Sequence, residues 1–462
     1  MDRDTVEPQV DSFPGEKGER WIGYHRQFAA PSTAAYEFVW DVTEEALGPF
    51  CTDVDGNVLL DFTSHIAAAP LGYNNPVLEE KIDEFDLPTP TKIAGQSFYS
   101  STGWPPESPD IPGIPQLMDR LTDLTSDYGL DTVFLSNTGA EAVENAIKIC
   151  YDHGSGARQG ITFKGGFHGR TLGALSLNRS KSVHRRGFPE ISGIHDVPYC
   201  KDRGCTPTTC DCGFFQSEDD MSLLREMLDS KRGYVDPADL AYIIVEPVQG
   251  EGGYRFPSDA FAEELHAVCE KHNILLIVDE IQTGLGRTGE WWGSDHYPFE
   301  PDVITSAKAS QVGATISRRE VFPEEKARIS STWGGGDVLA ALQAAVTIDV
   351  IEEESLLRNA RDRGEQLKDQ LREADLDSIE NIRGKGLMVA LDFESKAALE
   401  QTIRAALDRG LLTLGCGQRS MRLLPPLDVT EREIELGANL LVDAIEDTEA
   451  KRDLPTDSTT TT

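Results

Sequence analysis

The chain has 462 residues, 39% of them apolar, enough to bury a large core and to build more than one domain. It carries 79 Asp and Glu against 43 Lys and Arg, a formal net charge of −36 spread along its whole length. That balance repels nucleic-acid phosphates and argues against nucleic acid as a partner, and no apolar run approaches membrane-spanning length. Self-repulsion of this size needs screening, so the surface is read as adapted to high salt, as in halophiles. Met1-Asp2-Arg3-Asp4 is no charged-then-apolar leader, and a cytoplasmic protein is expected.

In chain order, residues 50–62 read first, as a hairpin turning at Asp55-Gly56-Asn57. Through the middle, short β-rich runs bounded by Gly, Pro or Asp predict strands at 132–135, 160–163, 173–177, 241–245, 275–278, 303–306 and 314–317. Amphipathic helices lie between them. Residues 140–151 place Val143, Ala146, Ile147 and Cys150 on one stripe, and Pro257, Ser258 and Asp259 signal the start of a helix running through Cys269. This alternation predicts an α/β fold with a mostly parallel sheet covered on both faces.

The final third reads differently. A long helix over 338–374, strands at 386–393, 411–414 and 421–424, and helices over 396–409 and 431–447 predict a smaller α+β domain. The expected division is an N-terminal segment, 1–70, packing with the small domain; a large domain, 71–337; the small domain, 338–450; and a disordered polar tail, 451–462.

In open α/β sheets, ligands sit at the carboxyl ends of the strands, and several polar residues fall there. In "IVDEIQTG" an apolar run, Ile274 to Val278, ends on Asp279; a carboxylate at that depth needs a positive partner from the chain or from a ligand. In "SNTGAEAVENAIK", Gly139 and Ala140 open a helix and can present free N–H groups to an anion. The segment lacks the Walker and dinucleotide glycine patterns, so it points to a single phosphate group, with ordinary helix capping as the plain alternative. In "GGFHGRT", Phe167 can stack on a flat ring and Arg170 can grip a carboxylate, though core packing and a surface ion pair would also explain them. In "VEPVQGEGG", Glu246 and Glu251 lie near the same edge or are solvated loop carboxylates. In "PDVITSAKAS", Lys308 follows a mostly apolar segment. A lysine so sheltered can act as an amine nucleophile toward an aldehyde, or else it reaches the surface or pairs structurally with Asp279. A buried acid, a sheltered lysine, a phosphate-sized nest and a stacking Phe together fit one cofactor, pyridoxal phosphate, with Asp279 keeping the pyridine nitrogen protonated.

These motifs, with "VDEIQTGLGRTG", "STWGG", "RGKGLM" and "MRLLPPL", closely resemble the class III pyridoxal-phosphate aminotransferases over about residues 37–444. The resemblance implies the aspartate-aminotransferase type of fold, a seven-stranded, mostly parallel sheet with a smaller α+β C-terminal domain. It implies that Lys308 forms the Schiff base, Asp279 binds the pyridinium, Gln282 lies near the cofactor hydroxyl, Phe167 stacks on the ring, and Gly139 and Ala140 bind the phosphate. Thr332 would reach the phosphate of a neighbouring subunit, implying a homodimer or higher homo-oligomer. Arg170 resembles the arginine for a distal carboxylate, Arg422 the arginine for an α-carboxylate, which Glu251 masks in some members, and Ile66 occupies a substrate-facing position.

The implied activity is ping-pong transfer of an amino group from an ω-amino acid, of the 4-aminobutyrate or L-lysine type, to a 2-oxo acid such as 2-oxoglutarate. An acetylornithine or ornithine aminotransferase, or an amino-acid racemase, is the alternative. "ASQVGA" after Lys308, with "STWGGG", is closer to the lysine 6-aminotransferase branch, and His65 stands where a glycine is common. Cys51, Cys150, Cys269 and Cys416 are scattered and expected to be reduced. Cys200, Cys205, Cys210 and Cys212 are bunched in "CKDRGCTPTTCDCG"; four thiolates on a loop can hold zinc, but the spacing is not a standard knuckle, and no metal is assigned.

Overall fold

The computed structural model describes all residues except 33–37, 88–99, 155, 217–220, 331–332 and 453–462. The chain divides into two units: Pro76–Leu357, and Met1–Asn75 joined with Arg358–Thr462.

In the first unit, the apolar runs Leu240–Val245, Leu275–Asp279 and Val303–Ser306 are buried at every residue, as strands covered on both faces must be. They form the centre of a seven-stranded sheet. Its spatial order is Thr132–Ser136, Gly313–Ser317, Val303–Ser306, Leu275–Asp279, Leu240–Val245, Gln159–Phe163 and Ile194–Val197. Gly313–Ser317 is antiparallel to both neighbours, and every other pairing is parallel. The helix Gly139–His153 packs Val143, Ala146, Ile147 and Cys150 into the core, and Ser258 caps Asp259–His272 by accepting the Phe261 N–H.

One expected strand is a helix. Residues 173–177 belong to Leu172–Leu177, and the seventh strand is Ile194–Val197. The alternating look of Gly-Ala-Leu-Ser-Leu misleads because all five residues are buried. The helix start is set by a distant residue. Glu144 Oε1 accepts from the Thr171 hydroxyl at 2.6 Å and from the Ala174 N–H at 3.1 Å. Gly173 permits this approach, since a Cβ there would lie 2.2 Å from Glu144 Oε2. The true strand went unseen because it lies at the sheet edge, where His195 and Asp196 interrupt any apolar pattern.

In the second unit, Phe50–Thr52 pairs antiparallel with Val58–Asp61, and Leu411–Leu412 adds parallel to the latter. A four-stranded antiparallel sheet runs Ile379–Lys385, Met388–Phe393, Ser420–Leu423, Leu414–Cys416. The single strand expected at 411–414 is thus two strands in different sheets. Arg3 ties the N-terminus to this unit through Glu433 and Asp428, each at 2.7 Å. The helix expected over 338–374 is two, Val338–Glu353 and Leu356–Glu373, broken at Ser355 with φ 56°. The first belongs with the Pro76–Leu357 unit, where Asp349 takes a two-pronged bond from Arg120. Among the described residues, no helix is long and apolar enough to cross a membrane.

Candidate active site

Parallel pairing puts three functional side chains at one carboxyl edge. Thr305 lies opposite Asp279, the last residue of its strand, so Lys308 emerges just beyond the same level on the neighbouring strand. Glu246 follows the end of Leu240–Val245 on the other side.

Asp279 is 4% exposed. Its Oδ2 lies 2.7 Å from Nδ1 of His168, itself 2% exposed, while Oδ1 accepts from the Thr305 hydroxyl at 3.1 Å and the Ile281 N–H at 3.2 Å. The carboxylate oxygen accepts in this contact when Nδ1 carries the ring proton. His168 is held in turn by Asn178, whose Oδ1 accepts the His168 N–H at 2.6 Å and whose Nδ2 donates to Gly169 O at 2.8 Å. Glu246 accepts the N–H groups of Phe167 and Gly250, both at 2.9 Å, clamping two loops together; burial pushes its carboxyl up to about 7.

The N-terminus of Gly139–His153 adjoins this cluster. Thr138 Oγ1 accepts the Glu141 N–H at 3.2 Å, while the N–H groups of Gly139 and Ala140 fall in the first turn, which has no intrahelical acceptors. Two glycines bring the segments together. Gly169 has φ 132°, and a Cβ on it would lie 2.8 Å from Ala140 Cβ; one on Gly139 would lie 2.8 Å from Ile281 Cδ1. Gln282 Oε1 is buried without a hydrogen-bond partner, facing Gly250, where a Cβ would come within 2.5 Å of it. Phe167 is half-buried, with the His184 ring edge-on at 5.6 Å and the exposed Arg170 guanidinium 5.7 Å from its centroid. Glu251 accepts from Lys181 Nζ.

These groups fit pyridoxal phosphate. A buried acceptor-only carboxylate suits a protonated ring nitrogen, an orphaned carbonyl oxygen suits a ring hydroxyl, a helix N-terminus suits a phosphate, and a primary amine at the same edge suits an aldehyde.

The remaining sequence candidates lie in the second unit or outside the described residues. Arg422 is 5% exposed within Ser420–Leu423, in register with Ala390 on one side and Leu414 on the other. Ile66 sits in a left-handed turn: Ser64, His65, Ile66 and Ala67 have φ of 42, 52, 62 and 67°. A β-branched residue there is strained by about 1–2 kcal/mol. Ser64 Oγ donates to Leu424 O at 2.6 Å and holds the turn. His65 and Ile66 line a cavity of about 290 Å³ with Trp40, Tyr73 and Thr413. Thr332 lies outside the described residues. Sequence reasoning gave no role to His168, Asn178 or Thr305; the only local signal was the position of His168 between glycines.

The family model for class-III aminotransferases matches residues 32–445 of the chain. The chain is 33% identical over 406 residues to an acetylornithine aminotransferase of Archaeoglobus fulgidus, covering 87% of this chain and 94% of that protein. It is 30% identical over 429 residues to a probable mitochondrial 4-aminobutyrate aminotransferase of Caenorhabditis elegans, covering 86% of each. A solved lysine aminotransferase from M. tuberculosis superposes with a TM-score of 0.80 at 26% identity, covering 93% of this chain and 99% of that one.

Proposed function

This chain belongs to the class-III aminotransferase family, and on that premise we propose that it moves an amino group from an ω-amino acid of the 4-aminobutyrate or L-lysine type to 2-oxoglutarate. It is a transaminase that uses pyridoxal phosphate, with a small-molecule amino donor and a keto-acid acceptor. The observation that carries the reading is the row of Asp279 and Lys308 at one sheet edge, with His168 fixing the acid.

When bound, pyridoxal phosphate supplies an aldehyde for amines and a protonated ring that accepts the electron pair released at the substrate carbon. Asp279 would accept from the protonated ring nitrogen, and His168 and Thr305 orient its two oxygens. Gly139 and Ala140 would donate N–H groups to the phosphate, Gln282 Oε1 would accept from the ring hydroxyl, and Phe167 would stack on the ring. Lys308 Nζ would hold the cofactor through its aldehyde. Its amine would also be placed to move a proton at the donor carbon, as general base and then acid. Arg170 and Arg422 each bind a substrate carboxylate, while Ile66 and Glu251 border the substrate. Thr332 would bind the phosphate held by a second subunit of a homodimer. The acidic surface is an adaptation to molar salt, and the enzyme works in the cytoplasm.

A donor panel tests this reading. 4-Aminobutyrate, L-lysine, L-ornithine and N-acetylornithine are each offered with 2-oxoglutarate in molar salt, and glutamate is measured. Fastest turnover is expected with 4-aminobutyrate or lysine. Preference for N-acetylornithine removes the donor assignment and leaves the family standing. Inversion of a single amino acid without any 2-oxo acid replaces the reading with a racemase.

A further inference from the structure

Residues 198–214 form no helix or strand, yet Cys200, Cys205 and Phe214 are 0, 2 and 0% exposed. The loop packs into the core that contains Phe261 and Leu265. Most of the loop is exposed and it is anchored only at Tyr199, Cys200, Cys205 and Phe214, so a segment without regular structure needs something other than backbone ladders to order it. Its four cysteines supply a means. The Sγ atoms of Cys200, Cys205 and Cys212 all lie within 4.8 Å of one another, with Cys205 and Cys212 at 3.8 Å. Cys210 Sγ lies 3.0 Å from Cys212 Sγ. Thiolates about 2.3 Å from a tetrahedral ion stand roughly 3.8 Å apart, whereas a disulfide closes to about 2.05 Å. The Cys205–Cys212 spacing is that of a tetrahedron edge, the Cys210–Cys212 pair at 3.0 Å is shorter than one and must open to take an ion, and none of the four is disulfide-bonded.

We propose that Cys200, Cys205, Cys210 and Cys212 bind one Zn²⁺ as a tetrathiolate that staples this loop to the sheet unit. Four soft sulfur donors in a closed tetrahedron select zinc over the harder divalent ions. Binding releases four protons from four thiols and transfers no electrons, leaving a complex of net charge −2. Donors are in place for the sulfurs: the Phe215 N–H points to Cys210 Sγ at 3.4 Å, and Ser258 Oγ lies 3.5 Å from Cys200 Sγ. Lys201 and Arg203 add positive charge on the same loop. The staple bears on the active site through Tyr199, whose hydroxyl donates to the carbonyl oxygens of Glu246 at 3.1 Å and Pro247 at 3.2 Å. The ion therefore orders the segment that backs the Glu246 turn.

The test uses full-length, cofactor-loaded enzyme purified without chelator or added metal. Elemental analysis is expected to find about one zinc per chain, and zinc-edge absorption four sulfur neighbours at about 2.3 Å. Cys210→Ser and Cys212→Ser, made singly, should each lose the four-sulfur signature and lower the thermal midpoint, while Cys416→Ser retains zinc in full. Zinc below a tenth of an equivalent, iron in its place, nitrogen or oxygen neighbours in the native protein, or a disulfide among the four cysteines would overturn the site. Should a variant fail to fold, the absorption spectrum of the native enzyme decides alone.

Discussion

His168 Nδ1 and Asp279 Oδ2 meet at 2.7 Å with both side chains almost entirely buried. The histidine comes from the loop after Gln159–Phe163 and the aspartate ends Leu275–Asp279, so only sheet assembly brings them together. The contact locks one carboxylate oxygen, Thr305 and the Ile281 N–H engage the other, and the acid remains an acceptor.

Replacing Asp279 by Asn keeps the shape and removes the charge. Turnover in molar salt should fall by about 10²–10³, the usual scale for losing a preorganised charge at a reacting centre. His168→Gln should cost less and should shift the pH dependence of the visible cofactor band, because the histidine acts through the acid. An Asp279→Asn enzyme with nearly full kcat would remove the ring-nitrogen role.

Lys308→Ala removes both the condensing amine and the proton carrier. A loss of at least about 10³ in kcat is expected, with disappearance of the visible imine absorbance. Wild-type rates in this variant would end the mechanism.

Gly169→Ala places a methyl group 2.8 Å from Ala140 Cβ at φ 132°. The histidine loop must then retreat from the helix N-terminus. Strain of about 1–3 kcal/mol predicts cofactor affinity weaker by roughly 10–100-fold in an absorbance titration. Unchanged affinity would show that this approach does not shape the phosphate site.

Arg422→Ala should raise KM for 2-oxoglutarate more than for a donor without an α-carboxylate, by about 10-fold or more for a lost charge-assisted pair. Arg170→Ala should weaken binding of the distal carboxylate instead. Equal losses across donors and acceptors in both variants would reject the division of labour.

Burial pushes Glu246 and Glu280 from 4.5 up to about 7. The unfolded chain releases these protons near the ordinary carboxylate value, so between about 4.5 and 7 the folded state binds more protons. Stability therefore falls as pH rises through that window, by roughly 3 kcal/mol for each group. Molar salt screens the general repulsion among 79 acidic side chains and should raise the denaturation midpoint at every pH, leaving the local slope visible. Midpoints at pH 5.5 and 7.5 in molar salt check the sign: a higher value at 7.5 would contradict it.

Much of the larger unit was legible because its signals are local. Six of the seven strands in the sheet announce themselves as short apolar runs with abrupt ends, and the polar residue after each parallel run marks the ligand edge. Reading failed where a distant residue decided the outcome. Glu144 turned 173–177 into a helix, and neighbours on one side only let Ile194–Val197 form a strand without an apolar pattern. Ile379–Lys385 escaped notice for a similar reason, since its polar sequence is a strand only beside Met388–Phe393.

The sequence by itself determined the strand–helix alternation, the acid at the end of 275–279, the lysine past 303–306 and the acidic surface. All of these follow from side-chain type and period within a few residues. Tertiary structure alone decided that His168 holds Asp279, that Gln282 keeps an unused buried acceptor, that the turn at Ile66 is left-handed, and that the bunched cysteines of 200–212 converge. Those outcomes depend on which segments pack together, and a hydrogen bond between residues 111 apart leaves no periodic trace in either segment.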